Sequence, residues 1–189
     1  MSKIRATVVT SLAGALLAVT GLAASPASAT VSEGYIAGTG TIRNDWNDEG
    51  ILSMTKHSRS KAVGLWQWVL WAEHAMIYGN MGSAREFKLS DIDCVFGENT
   101  KWATEDAQYQ DGMSSLEDDG VVGPATFDYF AANLRDGGSY NENYQLINYM
   151  GDGRTVRFLR SKKSGAYMFQ GINGYNGLWT TASYTGTGC

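Results

Sequence analysis

Histidine and cysteine are the scarcest chemistry-bearing residues of this 189-residue chain, at two apiece. His57 and His74 stand in no Ser/His/Asp arrangement and no His-rich metal phrase, and there is no P-loop. The sequence therefore offers no catalytic constellation, no metal-ligand set and no cofactor-binding motif. Basic charge is also short, with 15 basic residues against 19 acidic ones for a net −4. An acidic body argues against nucleic acid as a partner, because phosphate recognition needs a positive field. No apolar run after residue 29 is long enough to span a bilayer, which takes about 20 strongly apolar residues.

The one apolar run that exists lies at the N-terminus. Lys3 and Arg5 precede it, it extends from Ala6 to Ala24, and Ala27-Ser28-Ala29 follows with the small-x-small pattern of a signal-peptidase site. Residues 1–29 are expected to be a cleaved secretory leader, and the remaining protein to be secreted, either extracellular or associated with the cell wall. Without the leader, 13 basic and 19 acidic residues remain, a net −6. From Asp136 onward the balance reverses, since Arg154, Arg157, Arg160, Lys162 and Lys163 outnumber three acids there. Such a stretch suits an anionic polymer, although charges spread over hairpins more often form solvated surface.

In an exported chain the pair Cys94 and Cys189 reads as a structural disulfide, closing a loop of about 95 residues and worth about 4–5 kcal/mol in the chain-entropy picture. The alternative is a reactive Cys94 thiol, which needs a His partner and an orienting group.

What the chain does contain is a repeated phrase. Asp93-Cys94-Val95-Phe96-Gly97-Glu98-Asn99-Thr100 returns as Asp119-Gly120-Val121-Val122-Gly123-Pro124-Ala125-Thr126. Asp favours tight turns, Gly permits positive φ or close approach, and Thr suits an N-cap or a first helical turn. Pro124 fits just inside a helix start. Each copy is thus expected to be a turn that launches a helix, and the two to pack as a pseudo-symmetric pair.

Around these turns three helices are predicted. The first starts at Lys61 and carries Val63, Leu65, Trp66, Val69, Leu70, Ala72 and Met76 at helical spacing, ending at Gly79-Asn80-Met81-Gly82. Its Trp66, Trp68 and Trp71 cannot share one face. The second carries Trp102, Ala103, Ala107 and Tyr109 and stops near Asp111-Gly112; the third carries Phe127, Phe130 and Leu134 and closes at Asp136-Gly137-Gly138. Thereafter the period is two, with strands predicted over 144–150, 154–160, 166–170 and 178–184 as an antiparallel meander. The organisation expected is a lead segment over 30–60, a helical domain over 61–135 and a β-rich segment over 136–189.

The stretch 61–134 resembles the small three-helix peptidoglycan-binding domain of secreted bacterial cell-wall proteins. Val63-x-x-Trp66-Gln67-x-x-Leu70 resembles the opening helix of that family, with Trp66 in place of a Leu. Asp93 through Ala103 resembles its central phrase, with Cys94 in place of Gly, and Leu116 through Phe130 resembles its second phrase, with Phe127 in place of Trp. The family's Phe-Gln at the end of the second helix is divided here. Gln108 keeps the spacing from Thr100, while Tyr109-Gln110 keeps the residue pair.

The resemblance implies an α+β chain made of a peptidoglycan-binding-like helical domain with the meander packed on it. It also implies binding without catalysis, the ligand being peptidoglycan or another cell-wall polymer. Sugars stack on exposed aromatic rings, which makes Trp102, Tyr109, Tyr175 and Trp179 the expected ligand-binding residues. Two other readings stand beside this one. In the first, the β-rich segment docks on a secreted protein partner. In the second, the chain is an exported cell-wall hydrolase using Cys94 with His57 or His74.

Overall fold

The computed structural model describes residues 34–38, 40–79, 82–113, 118–171, 178–186 and 189; the expected leader lies outside them. Helix α1 (Lys61–Ala72) opens at Ser60, whose side chain accepts a hydrogen bond from Val63 N. Nearly every side of it is apolar, and a helix of that kind is stable only when surrounded. It accordingly packs against strands of a five-stranded sheet while also touching the second helix. Trp66 is fully buried, and Trp68 and Trp71 sit at the half-buried margin. Gly64 permits the close fit, since a Cβ there would lie 2.5 Å from Cys94 Sγ and 2.7 Å from the Phe169 ring.

This helix ends earlier than its periodicity predicts. His74 turns left-handed (φ 55°), Ala75 N donates to Leu70 O at 3.1 Å, and His74 N donates to Trp71 O at 3.4 Å. That is the double bond pattern by which a helix satisfies its last carbonyls. Met76, expected on the helix, instead begins strand β1 (Met76–Tyr78), which pairs antiparallel with β2 (Ala84–Glu86). Helices α2 (Glu98–Gln110) and α3 (Pro124–Ala131) follow the two repeated turns. The stop of α2 at Asp111-Gly112 is as expected, with Gly112 at φ 76°.

The chain then forms β3 (Leu134–Ser139), β4 (Tyr144–Met150), β5 (Thr155–Ser161), β6 (Tyr167–Gln170) and β7 (Trp179–Thr181), an antiparallel meander in that spatial order. The β4–β5 ladder runs unbroken from Tyr144 opposite Ser161 to Met150 opposite Thr155. Alternation buries Ile147, Tyr149, Val156, Phe158, Tyr167 and Phe169 on the inner face, beneath α1.

The expected fold class is therefore overturned. Among the described residues there are only three short helices, interrupted by a two-stranded sheet, and the largest element is the five-stranded sheet, so the fold is mostly β-sheet. The cause is visible at Leu134, expected on the third helix. It pairs with Tyr149 instead, and Gly137 and Gly138 lie inside β3 beside a register shift.

The described part of the lead segment, which holds a 3-10 turn at Ile42–Asn44, supplies the middle of the core. Ile36 N donates to Ala182 O and Tyr167 N donates to Ile36 O, both at 2.8 Å, which seats residues 34–38 along the sheet. Trp46 is fully buried, its ring 5.4 Å from Tyr167, 6.1 Å from both Phe127 and Phe158, and stacked on Tyr149 at 6.3 Å. Leu52 then exchanges both backbone bonds with Val122, at 2.8 and 3.0 Å, while Phe96 N donates to Ser58 O at 2.7 Å. The Cys94–Cys189 disulfide is formed, with 5.4 Å between the Cα atoms, and ties the end of the chain to the first turn.

Glu49 enters this core as a carboxyl, accepting from Ala37 N at 2.5 Å and Tyr184 OH at 2.6 Å. Burial is the largest influence on it and outweighs those bonds, pushing its pKa from 4.5 up to about 7. A raised carboxyl stabilises the folded state below its unfolded value and loses that contribution as pH rises through the folded value. The unfolding free energy is expected to fall between pH 5 and 8, with Glu49→Gln removing about 3 kcal/mol of that fall. Urea titrations at each pH check this, and identical pH profiles for the two proteins would contradict it.

Candidate functional site

Each repeated turn closes around a glutamine from the preceding helix. Gln67 of α1 is fully buried, and its Oε1 accepts from Asp93 N at 3.0 Å and Cys94 N at 2.8 Å. Its Nε2 donates to Asp93 Oδ1, Val95 O and Thr100 Oγ1 at 2.9, 3.1 and 3.0 Å. Gln108 of α2 is equally buried and does the same for the second turn. Its Oε1 accepts from Gly120 N at 3.0 Å, and its Nε2 donates to Val121 O at 2.9 Å and Thr126 Oγ1 at 3.1 Å. In both copies the threonine hydroxyl donates back to the valine carbonyl, and the aspartate accepts from the valine N–H two residues on.

The roles inside the phrase differ from the expectation in one respect. Gly97 and Gly123 are N-caps with extended backbone, and the threonines sit at the third helical position. The left-handed residue is the one after the aspartate, Cys94 at φ 61° and Gly120 at φ 69°. A non-glycine residue there costs roughly 1–2 kcal/mol. Cys94 is held in it by Gln67, by Ser60 N donating to its carbonyl at 3.1 Å, and by the disulfide. Of the two glutamine positions offered by the end of α2, Gln108 is the one that clamps, because spacing from Thr100 decides which residue faces the turn.

The expected ligand-binding residues fall on two surfaces. Trp102 and Tyr109 are seven apart on α2, hence on one side of it; Trp102 is half-buried and Tyr109 is 68% exposed. Tyr78 of β1, 51% exposed, joins this side through its hydroxyl, which donates to Asp106 Oδ1 at 3.0 Å. Asp106 Oδ2 in turn accepts from Met76 N at 2.6 Å, so one carboxylate fixes β1 onto α2. Trp179 lies on β7 opposite Gln170, with its ring 6.0 Å from Tyr140 in the β3–β4 turn. The two sets thus lie on different elements, one on α2 with β1 and the other on β7 with the β3–β4 turn. Tyr175 lies outside the described residues. Tyr78 and Tyr140 escaped the sequence reading; an aromatic set in the polar stretch Ser139-Tyr140-Asn141 was the available signal for the latter.

The cysteine and both histidines of the hydrolase reading are engaged in other contacts. Cys94 is disulfide-bonded and carries no thiol, which removes the nucleophile of the Cys94 hydrolase reading. His57 packs on Tyr184 at 4.9 Å, and His74 Nδ1 lies 3.0 Å from Glu86 Oε1. Burial raises Glu73, whose oxygens accept from Tyr149 OH, Asn133 Nδ2 and Asp152 N, joining the end of α1 to the sheet. Asp111 is pushed up to about 6, by burial first and then by the charges of Glu73 and Asp152. Among the described residues no cluster of three or more His, Cys, Asp or Glu is arranged to hold a metal. No protein-family model, curated protein or solved structure matches the chain.

Removing Gln67 strands the N–H groups of Asp93 and Cys94, and removing Gln108 strands that of Gly120, at about 1–3 kcal/mol each. Gln67→Leu and Gln108→Leu are each expected to lower the unfolding free energy by about 3 kcal/mol, whereas Tyr109→Ala changes it by about 0.5 kcal/mol or less. Equilibrium urea unfolding distinguishes these; clamp variants as stable as the wild type would contradict the arrangement.

Proposed function

We propose that this is a secreted, non-catalytic protein that attaches to the peptidoglycan of the cell wall. The observation that carries the reading is the equivalence of the two clamped turns. The residues of the resemblance, Gln67, Asp93, Thr100, Gln108, Asp119 and Thr126, are the ones that build them. That these motif residues act together in space supports the reading. Glycan would lie on the α2/β1 side, where Tyr78 and Tyr109 offer exposed rings beside the half-buried Trp102.

A second reading has its own support. The pair Tyr140 and Trp179, next to Leu178 at 82% exposure, gives the β-rich segment an apolar outer patch suited to a secreted protein partner. Among the described residues no helix is long and apolar enough to cross a membrane.

Co-sedimentation with purified sacculi tests the proposal. The leaderless protein is expected in the pellet, releasing no soluble fragments, and Tyr78→Ala and Tyr109→Ala each to weaken binding about fivefold, the effect of roughly 1 kcal/mol per stacked ring. Failure of the wild type to sediment overturns the proposal. Loss of binding on Trp179→Ala alone, with Tyr78→Ala and Tyr109→Ala neutral, moves the contact to the sheet.

A further inference from the structure

The turn between β5 and β6 forms a polar cleft that neither reading of the function uses. Its lining includes Tyr35, Arg160, Ser161, Lys162, Lys163 and Ser164. Arg160 is already matched, with Nε 3.0 Å from the buried Asp45 Oδ2 and Nη2 donating to Gly38 O at 2.6 Å, so it forms the wall and adds little net charge. The two lysines differ. The Lys162 ammonium donates to Ser139 Oγ and Asn141 O, both at 2.8 Å, two neutral acceptors that fix its position and leave its charge uncompensated. Lys163 is exposed, and neither lysine forms an ion pair among the described residues.

Two hydroxyls complete the cleft. Ser161 Oγ accepts from Lys163 N at 3.3 Å and Ser164 N at 3.1 Å, and Ser164 Oγ accepts from Ala166 N at 3.3 Å. With backbone N–H groups filling their acceptor sides, both hydroxyls keep a hydrogen to donate. Two acids are near by connection. Glu142, exposed between the Asn141 and Asn143 carbonyls that Lys162 bonds, forms no ion pair among the described residues, and Asp136 is occupied by Gly138 N and Gln145. The cleft thus collects two ammonium charges and two hydroxyl donors, on a chain whose net charge is −4.

We propose that this cleft binds an oxyanion displayed on a polymer, held by Lys162 and Lys163 with Ser161 and Ser164 as hydrogen-bond donors. Phosphodiester and carboxylate groups share that chemistry. The site is separate from the α2/β1 aromatic surface and stands or falls independently of peptidoglycan attachment.

The test measures binding of the leaderless protein to poly(glycerol phosphate) and to polygalacturonate, at low and at 300 mM salt. At least one polymer is expected to bind at low salt, and affinity to drop steeply with added salt as paired charges release counterions. Phosphate polymer alone identifies a phosphodiester ligand, polygalacturonate alone a carboxylate, and both a general oxyanion site. Lys163→Glu is expected to weaken binding about tenfold and Lys163→Arg to retain it, while Lys56→Glu, far from the cleft in sequence and equally exposed, leaves it unchanged. No binding of either polymer overturns the proposal, as does equal weakening by Lys56→Glu and Lys163→Glu. A protein that binds polymer yet fails to sediment with sacculi keeps this site and loses the peptidoglycan reading.

Discussion

A primary amide in a protein core stabilises only if both of its ends are bonded, and that requirement organises this molecule. Gln67 and Gln108 each offer a carbonyl and an amino group to a turn that otherwise would expose unpaired backbone inside the fold. Meeting the demand sets the left-handed residue, the position of the threonine hydroxyl and the direction in which the next helix leaves. The clamps also link the helices in series, because α1 holds the turn that launches α2, and α2 holds the turn that launches α3. The chain leading into α1 closes both turns from outside, through Leu52 against Val122 and Ser58 against Phe96.

The rest of the core is built onto this frame by residues distant in sequence. Trp46 fills the space between α3 and the sheet, and the disulfide brings the last residue back to the first turn. Two acids accompany the lead segment inward and are bonded by tyrosine hydroxyls, Asp45 by Tyr167 and Glu49 by Tyr184. Burial raises both carboxyls, so the contacts that fasten the lead segment to the sheet are most favourable on the acidic side of neutrality.

What the sequence revealed tracks the range of the interactions involved. The repeated turns were legible because Asp, Gly and Thr act on backbone a few residues away. The strands expected over 144–150 and 154–160 were legible to within a residue because a period of two survives in Ile147, Tyr149, Val156 and Phe158. Met76 was misread since helical spacing continued past the point where Asp106, thirty residues on, takes its N–H. Leu134 was misread for the same kind of reason, its partner Tyr149 being non-local. Trp46 gave no periodic signal at all, although it is fully buried and packs against Phe127, Tyr149, Phe158 and Tyr167. Of the aromatic surface residues, Tyr140 and Trp179 pair across a long separation in sequence, which leaves no local trace.

Function on this account follows from a rigid frame that displays aromatic and basic surfaces and commits its cysteines, histidines and buried acids to structure. The frame itself is the claim on which everything else rests. Native-state hydrogen exchange reads it directly at the amides of Asp93, Cys94 and Gly120, loop positions whose N–H groups end on glutamine side chains. The account predicts that these three exchange only through global unfolding, with the same free energy as the amides of β4 and β5. Exchange at the rate of an open surface loop would contradict it.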